Sequence, residues 1–448
     1  MKRLAKIILS VVLVLGMVVA PFQTTNTVYA EETETNPMRA VWVRPKEWTK
    51  EQVEEKVQSL ADVGINTIFL ETVYEGFTIF PVEYDPIYQN PMYQEFDVLQ
   101  AYIDACHSRG MQLHAWVESF FIGLQTNRGG GPVYKAYKGT GMLLTDTEGN
   151  EWEQTMYGKM YFLNPAKPEC REWIVGLYEI IVENYDIDGL QLDYVRYPVK
   201  TKDVDYGYDE YTINAFMEEK GYDPRDYKEN SFERDVFAQF KRDQVTEYVK
   251  MCSTQLRAIN PDLILSLSVV PDFTSGLKEH MQSAELWMDE GYGDLLVPMS
   301  YTESQTNRTN AAISITGDPG NVVMGVSTIN NYTIESVSNQ VETVLGLGTG
   351  VSFFEYETFF SVGYADALKD TLLKDTQFNI DVDTYKTDVV RKEPVDNSGE
   401  KSDGDSDDSK KDSTEIIIYA VLAVAVVAIV VEVIILATGS KKKKQDSK

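Results

Sequence analysis

From Met38 onward, short apolar runs rich in β-branched and aromatic residues alternate with stretches of helical periodicity, the pattern of a parallel sheet built from βα units. Eight runs read as strands: Arg39–Arg44, Thr67–Val73, Gln112–Ser119, Gly189–Tyr197, Leu263–Val270, Leu295–Tyr301, Val322–Thr328 and Val351–Thr358. Helical spacing fills the stretches between them at Thr49–Val63, Asp97–Arg109, Pro168–Asn184, Phe232–Ile259, Met281–Glu290 and Thr333–Leu345, and a last helix is expected near Ala365–Lys374. Thr49 ahead of Glu51 and Glu54 marks a helix start, and Gly64 and Gly110 stand where helices end. Eight βα units in roughly 330 residues predict an α/β fold, a (β/α)8 TIM barrel.

Two connections exceed the usual βα loop of roughly 2 to 6 residues. The one after strand 3, Phe120–Pro165, holds Gly129-Gly130-Gly131 and a hairpin-like LLTDTEGNEW; the one after strand 4, Val199–Ser231, holds Tyr206, Tyr208, Tyr211, Tyr222 and Tyr227. Both leave the C-terminal face of the barrel, so both are expected to wall a substrate cleft. The tyrosines suit either stacking on sugar rings or ordinary packing.

The ends have a different character. Lys2, Arg3 and Lys6 precede an apolar run, Ile7–Ala20, and a small-residue cleavage pattern ending at Ala30, so residues 1–30 read as a signal peptide without a lipoprotein cysteine. Residues 31–385 form the expected barrel domain. Residues 386–415 are rich in Asp, Ser, Lys and Gly and read as a disordered acidic linker. Residues 416–438 are apolar apart from Tyr419 and Glu432, long enough to span a bilayer, and Lys441–Lys444 in the basic tail 439–448 orient that helix with its C-terminus inside the cell. The expectation is a single-pass membrane protein with its barrel extracellular.

Charge narrows the partners. With 41 Lys and Arg against 70 Asp and Glu, the formal charge of the 448-residue chain is −29, which argues against nucleic acid. Cys106, Cys170 and Cys252 fall in helical stretches beside apolar residues and read as buried thiols. The three histidines, His107, His114 and His280, form no pair at metal-ligand spacing, so neither a metal nor another cofactor is expected. A barrel phosphodiesterase or deacetylase would need such ligands.

Candidate chemistry gathers at strand ends. In DIDGLQLDYVRYP, residues 186–198, Asp-Gly reads as a turn and the strand that follows carries Asp193 near its C-terminal end. Alternation puts Gln191 and Asp193 on the lumen side and Leu190 and Leu192 toward the helices. The same parity gives Trp42 and Arg44 on strand 1, Glu71 on strand 2, His114, Trp116 and Glu118 on strand 3, Ser266 and Ser268 on strand 5, Met299 and Tyr301 on strand 6, and Glu355 and Glu357 on strand 8. Acids and aromatics together suit a carbohydrate site. Glycoside hydrolysis uses two carboxyls. Asp193 is the first candidate and Glu118 the preferred partner, since adjacent strands bring their rim groups together and Trp116 can desolvate it; Glu71 and Glu355 remain alternatives, as does a purely structural ion pair with Arg44, Arg196 or Arg234. Trp42, Glu71, Trp116, Tyr194, Arg196, Tyr301 and Glu355 are the candidate substrate-binding residues.

MRAVWVRP at 38–45, GINTIFLETV at 64–73, RGMQLHAWVE at 109–118, YFLNP at 161–165 and above all DIDGLQLDYVRYP resemble the glycosyl-hydrolase-like family 10, bacterial secreted TIM-barrel proteins associated with the cell wall. The resemblance runs from about Met38 to Asp370. It implies action on glycan, with peptidoglycan strands as the candidate substrate, and matches Asp193 to the family's acidic strand 4 position. It also implies substrate-binding or supporting roles for Arg44, Asn164 and Arg234. The chain departs from the family where relatives carry a doubled Asp at strand 4 and an Asn-Pro-Tyr ending after strand 3, so Glu118 rests on chemistry and geometry alone. The expectation is a membrane-anchored glycoside hydrolase; the alternative is a glycan-binding barrel without turnover.

Overall fold

Each strand of the sheet sends alternate residues to opposite sides, and here the two sides bury different things. The computed structural model describes residues 37–126 and 128–373. Its eight parallel strands are β1 (Arg39–Val43), β2 (Thr67–Tyr74), β3 (Gln112–Glu118), β4 (Gly189–Asp193), β5 (Ile264–Val269), β6 (Leu295–Pro298), β7 (Val323–Ser327) and β8 (Gly350–Phe354). Hydrogen bonding runs in the order β6-β5-β4-β3-β2-β1-β8-β7, and a parallel bridge from Leu296 to Val322 closes the ring. This is the expected α/β barrel.

Outward-facing Val41, Val43, Ile68, Leu70, Leu113, Ala115, Val117, Leu190 and Leu192 pack beneath helices that include α1 (Lys50–Asp62), α2 (Val98–His107), α3 (Pro168–Asn184) and α4 (Phe232–Ile259). Inward-facing Ala40, Trp42, Phe69, Trp116, Ile264, Leu295, Val297 and Val323 fill the lumen, with Phe354 against them. Thr49 caps α1 by accepting from the Gln52 amide, a contact worth about 1 kcal/mol at a helix start.

Several boundaries differ from the sequence reading. The start of β4 at Gly189 is as expected, and just before it the Asp188 carboxylate accepts from the Leu113 amide at 2.8 Å and meets His107 Nε2 at 2.9 Å. Strands β4 and β6 end earlier than expected, at Asp193 and Pro298. The run Met281–Glu290 narrows to a helix at Ala284–Asp289, and a separate helix at Phe273–Glu279 precedes it.

The long connection after β3 contains a helix, Gly131–Tyr137, and a three-stranded antiparallel sheet of Phe121–Leu124, Glu153–Thr155 and Gly158–Phe162. LLTDTEGNEW lies just before that sheet's hairpin, its turn held by Asp146, which accepts from the Glu148 and Asn150 amides. The connection after β4 carries a helix, Glu210–Lys220, over its own apolar cluster of Ile213, Phe216, Phe237 and Phe240. Three of its tyrosines serve that packing: Tyr208 meets Phe237, and Tyr222 meets Phe216 and Tyr227. A third long connection follows β2, where Phe77–Thr78 folds back antiparallel on the strand.

The expected leader 1–30, linker 386–415, membrane helix 416–438 and tail 439–448 lie outside the described residues. Among the described residues, no helix is long and apolar enough to cross a membrane.

Candidate active site

Four acids from three strand ends and one loop converge at the C-terminal rim. Glu118 on β3 stands opposite Asp193 on β4 in the strand register, and Glu71 on β2 stands opposite Trp116. Glu75 follows directly from β2 with a left-handed backbone, φ 49°. All four side chains belong to residues at most 6% exposed.

The lumen holds these groups in two tiers. In the lower, Trp42 Nε1 donates to Gln191 Oε1 at 2.7 Å. In the upper, Trp116 Nε1 donates to Asp193 Oδ2 at 3.1 Å, and the Tyr194 amide donates to Asp193 Oδ1 at 2.7 Å. Both oxygens of Asp193 are thus fixed by donors. Glu118 Oε2 accepts from the Glu75 amide at 3.3 Å. Arg44 Nε donates to Glu71 Oε1 at 2.9 Å, and the Arg44 guanidinium carbon lies 5.5 Å from the ring centres of Tyr74 and Trp116 and 5.7 Å from that of Phe354.

Aromatic rings frame the opening. Tyr301 stacks on Phe354 at 5.4 Å, and Tyr194 stacks on Phe121 at 4.9 Å. The Arg196 guanidinium lies 4.7 Å over Tyr194, and its Nη1 meets His280 Nδ1 at 3.2 Å. Arg44, Glu71, Tyr74, Glu75, Phe77 and Thr126 line a cleft of about 500 Å3 that opens from this point.

Burial and mutual repulsion set the protonation. Burial pushes Glu71 up to about 7 against the pull of Arg44, with Glu75 and Asp193 adding to the rise. Glu118 is held well above the usual carboxylate range by burial and by the charges of Glu71 and Asp193. Burial also raises Asp193, but the Tyr194 amide, Arg196, the Trp116 indole and Arg44 all oppose it. For Arg44, burial works downward, yet the charges of Glu71, Glu118 and Tyr74 hold it above its ordinary value. Two neighbouring carboxyls in unlike surroundings can divide acid and base roles between them.

Of the residues singled out from the sequence, the structure brings together Trp42, Arg44, Glu71, Trp116, Glu118, Asp193, Tyr194, Arg196 and Tyr301. Four are placed elsewhere. Asn164 is buried in the turn before α3, where its side chain donates to Thr212 Oγ1 at 3.0 Å and accepts from the Ala166 amide. Arg234 sits in the first turn of α4, paired with Glu229 at 3.2 Å and within 3.7 Å of Asp205, both in the connection after β4. On β8 the lumen side belongs to Phe354, one residue out of step with expectation; Glu355 heads the short helix Tyr356–Ser361, and Glu357 pairs with Lys46 at 3.2 Å. Sequence reasoning overlooked Tyr74, Glu75 and Phe354. The sequence does place Glu75 four residues beyond Glu71 and next to a glycine, a polar turn leaving the catalytic face. Among the described residues, no group of three or more His, Cys, Asp or Glu is arranged to hold a metal ion.

The family model described as Glycosyl hydrolase-like 10 matches residues 37–336. Curated relatives include the glycosyl hydrolase DigH of Escherichia coli K12, 23% identical over 269 residues covering 55% of this chain and 57% of that protein. Another is the glycosyl hydrolase YngK of Bacillus subtilis, 23% identical over 280 residues covering 56% of this chain and 49% of the relative. The chain spans about half the length of the curated relatives it matches. Among solved structures, the catalytic domain of a Paenibacillus polymyxa β-amylase superposes with a TM-score of 0.55 at 12% identity, over 75% of this chain and 98% of that one. A Marinomonas ef1 β-galactosidase superposes with a TM-score of 0.51 at 15% identity, over 71% and 54%. At these identities the likeness is one of fold.

Proposed function

The chain belongs to the glycosyl hydrolase-like 10 family, and from that premise we propose that it is a glycoside hydrolase whose carboxyl pair is Glu118 and Asp193. The observation that carries this reading is the pair itself: register partners on adjacent strands, both buried and both raised by burial, with Glu118 held well above the usual carboxylate range and Asp193 opposed in its rise by the Tyr194 amide, Arg196 and the Trp116 indole. Glu118, held well above the usual carboxylate range, donates its proton to the glycosidic oxygen as the bond to the anomeric carbon breaks. Against the rise that burial gives Asp193, the Trp116 indole, the Tyr194 amide and nearby Arg196 stabilise its carboxylate form, in which it acts as nucleophile or base. Arg44 anchors Glu71, Trp42 and Trp116 brace Gln191 and Asp193 from within the lumen, and Tyr194, Arg196 and Tyr301 supply faces and donors for the sugar.

The substrate we propose is a wall polysaccharide, peptidoglycan glycan strands in particular. Support comes from the resemblance to wall-associated family members and from the export signal and membrane anchor expected at residues 1–30 and 416–438, which would hold the barrel outside the cell.

The roles of the pair separate by leaving group. Glu118→Gln should lower turnover on glycan strands by about 10^2 to 10^4 while retaining cleavage of aryl glycosides whose phenolate leaves unaided. Release of new reducing ends and of the phenol measures each. Equal losses on both substrates would remove Glu118 from the acid role.

A further inference from the structure

The loop after β1 continues past Arg44 into a second concavity that the proposed chemistry does not use. Lys46, Glu47, Trp48, Gln52, Glu55, Lys56, Ser59 and Tyr356 enclose about 400 Å3 between the first turns of α1 and the helix Tyr356–Ser361. Its base is a fixed polar network. The buried Glu47 carboxylate takes the Lys56 ammonium, accepts from Tyr102 OH at 2.6 Å and accepts from the Lys46 amide at 2.9 Å. Lys56 Nζ lies 4.3 Å over the Tyr356 ring, whose hydroxyl meets Ser59 Oγ at 3.3 Å. Above this network Trp48 is 56% exposed, its amide tied to Gln52 Oε1 at 3.0 Å. A large indole left in water on a loop this well braced is available as a platform, and Lys46, Gln52 and Glu55 beside it offer hydroxyl partners. Lys46 also lines the cleft that runs past Arg44, Glu71 and Glu75, so the two concavities adjoin.

We propose that Trp48 is a distal sugar subsite, binding a pyranose of the same glycan chain several units from the bond between Glu118 and Asp193. The proposal rests on the glycan-hydrolase reading above and adds a requirement for chain length.

The test uses the full chain carrying Asp193→Asn, with and without Trp48→Ala or Trp48→Phe, titrated with peptide-free peptidoglycan strands fractionated by length. Trp48→Ala should weaken binding of long strands by about tenfold and leave that of the shortest fragments unchanged, with Trp48→Phe restoring most of the loss. Equal weakening of long and short strands, or no weakening of either, overturns the subsite while leaving the glycan reading in place. If the parent Asp193→Asn chain binds no strand of any length, the glycan reading falls and the subsite with it.

Discussion

Glu71, Glu75, Glu118 and Asp193 crowd one rim, and Arg44 is the cation hydrogen-bonded within the group, through Glu71. Its removal leaves buried carboxyls facing each other with less compensation. Breaking a fully buried pair costs about 3 to 5 kcal/mol, and since the Arg44 side chain is 40% exposed a smaller loss of about 1 to 2 kcal/mol is expected for Arg44→Ala. The sign with pH follows from the charges. At pH 8 the carboxyls are more ionised and the loss is larger; at pH 5 protonation relieves the repulsion and the loss shrinks. Urea denaturation of both proteins at the two pH values measures this, and a loss independent of pH would mean that Arg44 matters for packing over Tyr74, Trp116 and Phe354 rather than for charge.

Strand β4 shows how tightly an element can be specified by a residue with no side chain. Gly189 pairs in register with His114, and a Cβ on it would lie 2.5 Å from His114 Nδ1. Gly189→Ala should therefore destabilise the protein by about 1 to 3 kcal/mol, read as a lower urea midpoint, with His114→Ala in the same chain restoring part of it. No restoration would place the strain elsewhere in the strand. The strand itself was legible, because Leu190 and Leu192 against Gln191 and Asp193 alternate cleanly. Its start at Gly189 was legible too, and its end was not: Val195 and Tyr197 continue the apolar pattern past Asp193, where the strand stops. Strand β8 failed for the opposite reason. VSFFEYET places two phenylalanines side by side, so either parity fits: Phe353 goes outward to Phe359 at 4.5 Å and Phe354 inward to Tyr301. Asn164 and Arg234 were drawn in by matching stretches of family pattern, and both hold connections together instead. The loop after β2 was not flagged, and with it Glu75 was lost, since short pairings such as Phe77–Thr78 leave little periodic trace.

Taken whole, the molecule sets its stability against its rim. Carboxyls raised above their unfolded values bind protons more tightly in the native chain, so stability falls as pH rises from the unfolded pKa near about 4.3 through the folded values. His114 and His280, each lowered by burial to about 4, pull the other way between pH 4 and about 6.5. Glu118→Gln leaves the histidines untouched, so its midpoint relative to the parent isolates the rim. The variant should match the parent near pH 4 and become progressively more stable than it above that. A constant difference across pH would show that Glu118 is not held protonated. The proposed hydrolysis turns on Asp193. The full chain and its Asp193→Asn variant, each incubated with peptide-free peptidoglycan strands and followed by mass spectrometry, measure it most directly. The account predicts new reducing-end fragments from the parent and none from the variant; fragments from both, or from neither while both retain the strands, would contradict it.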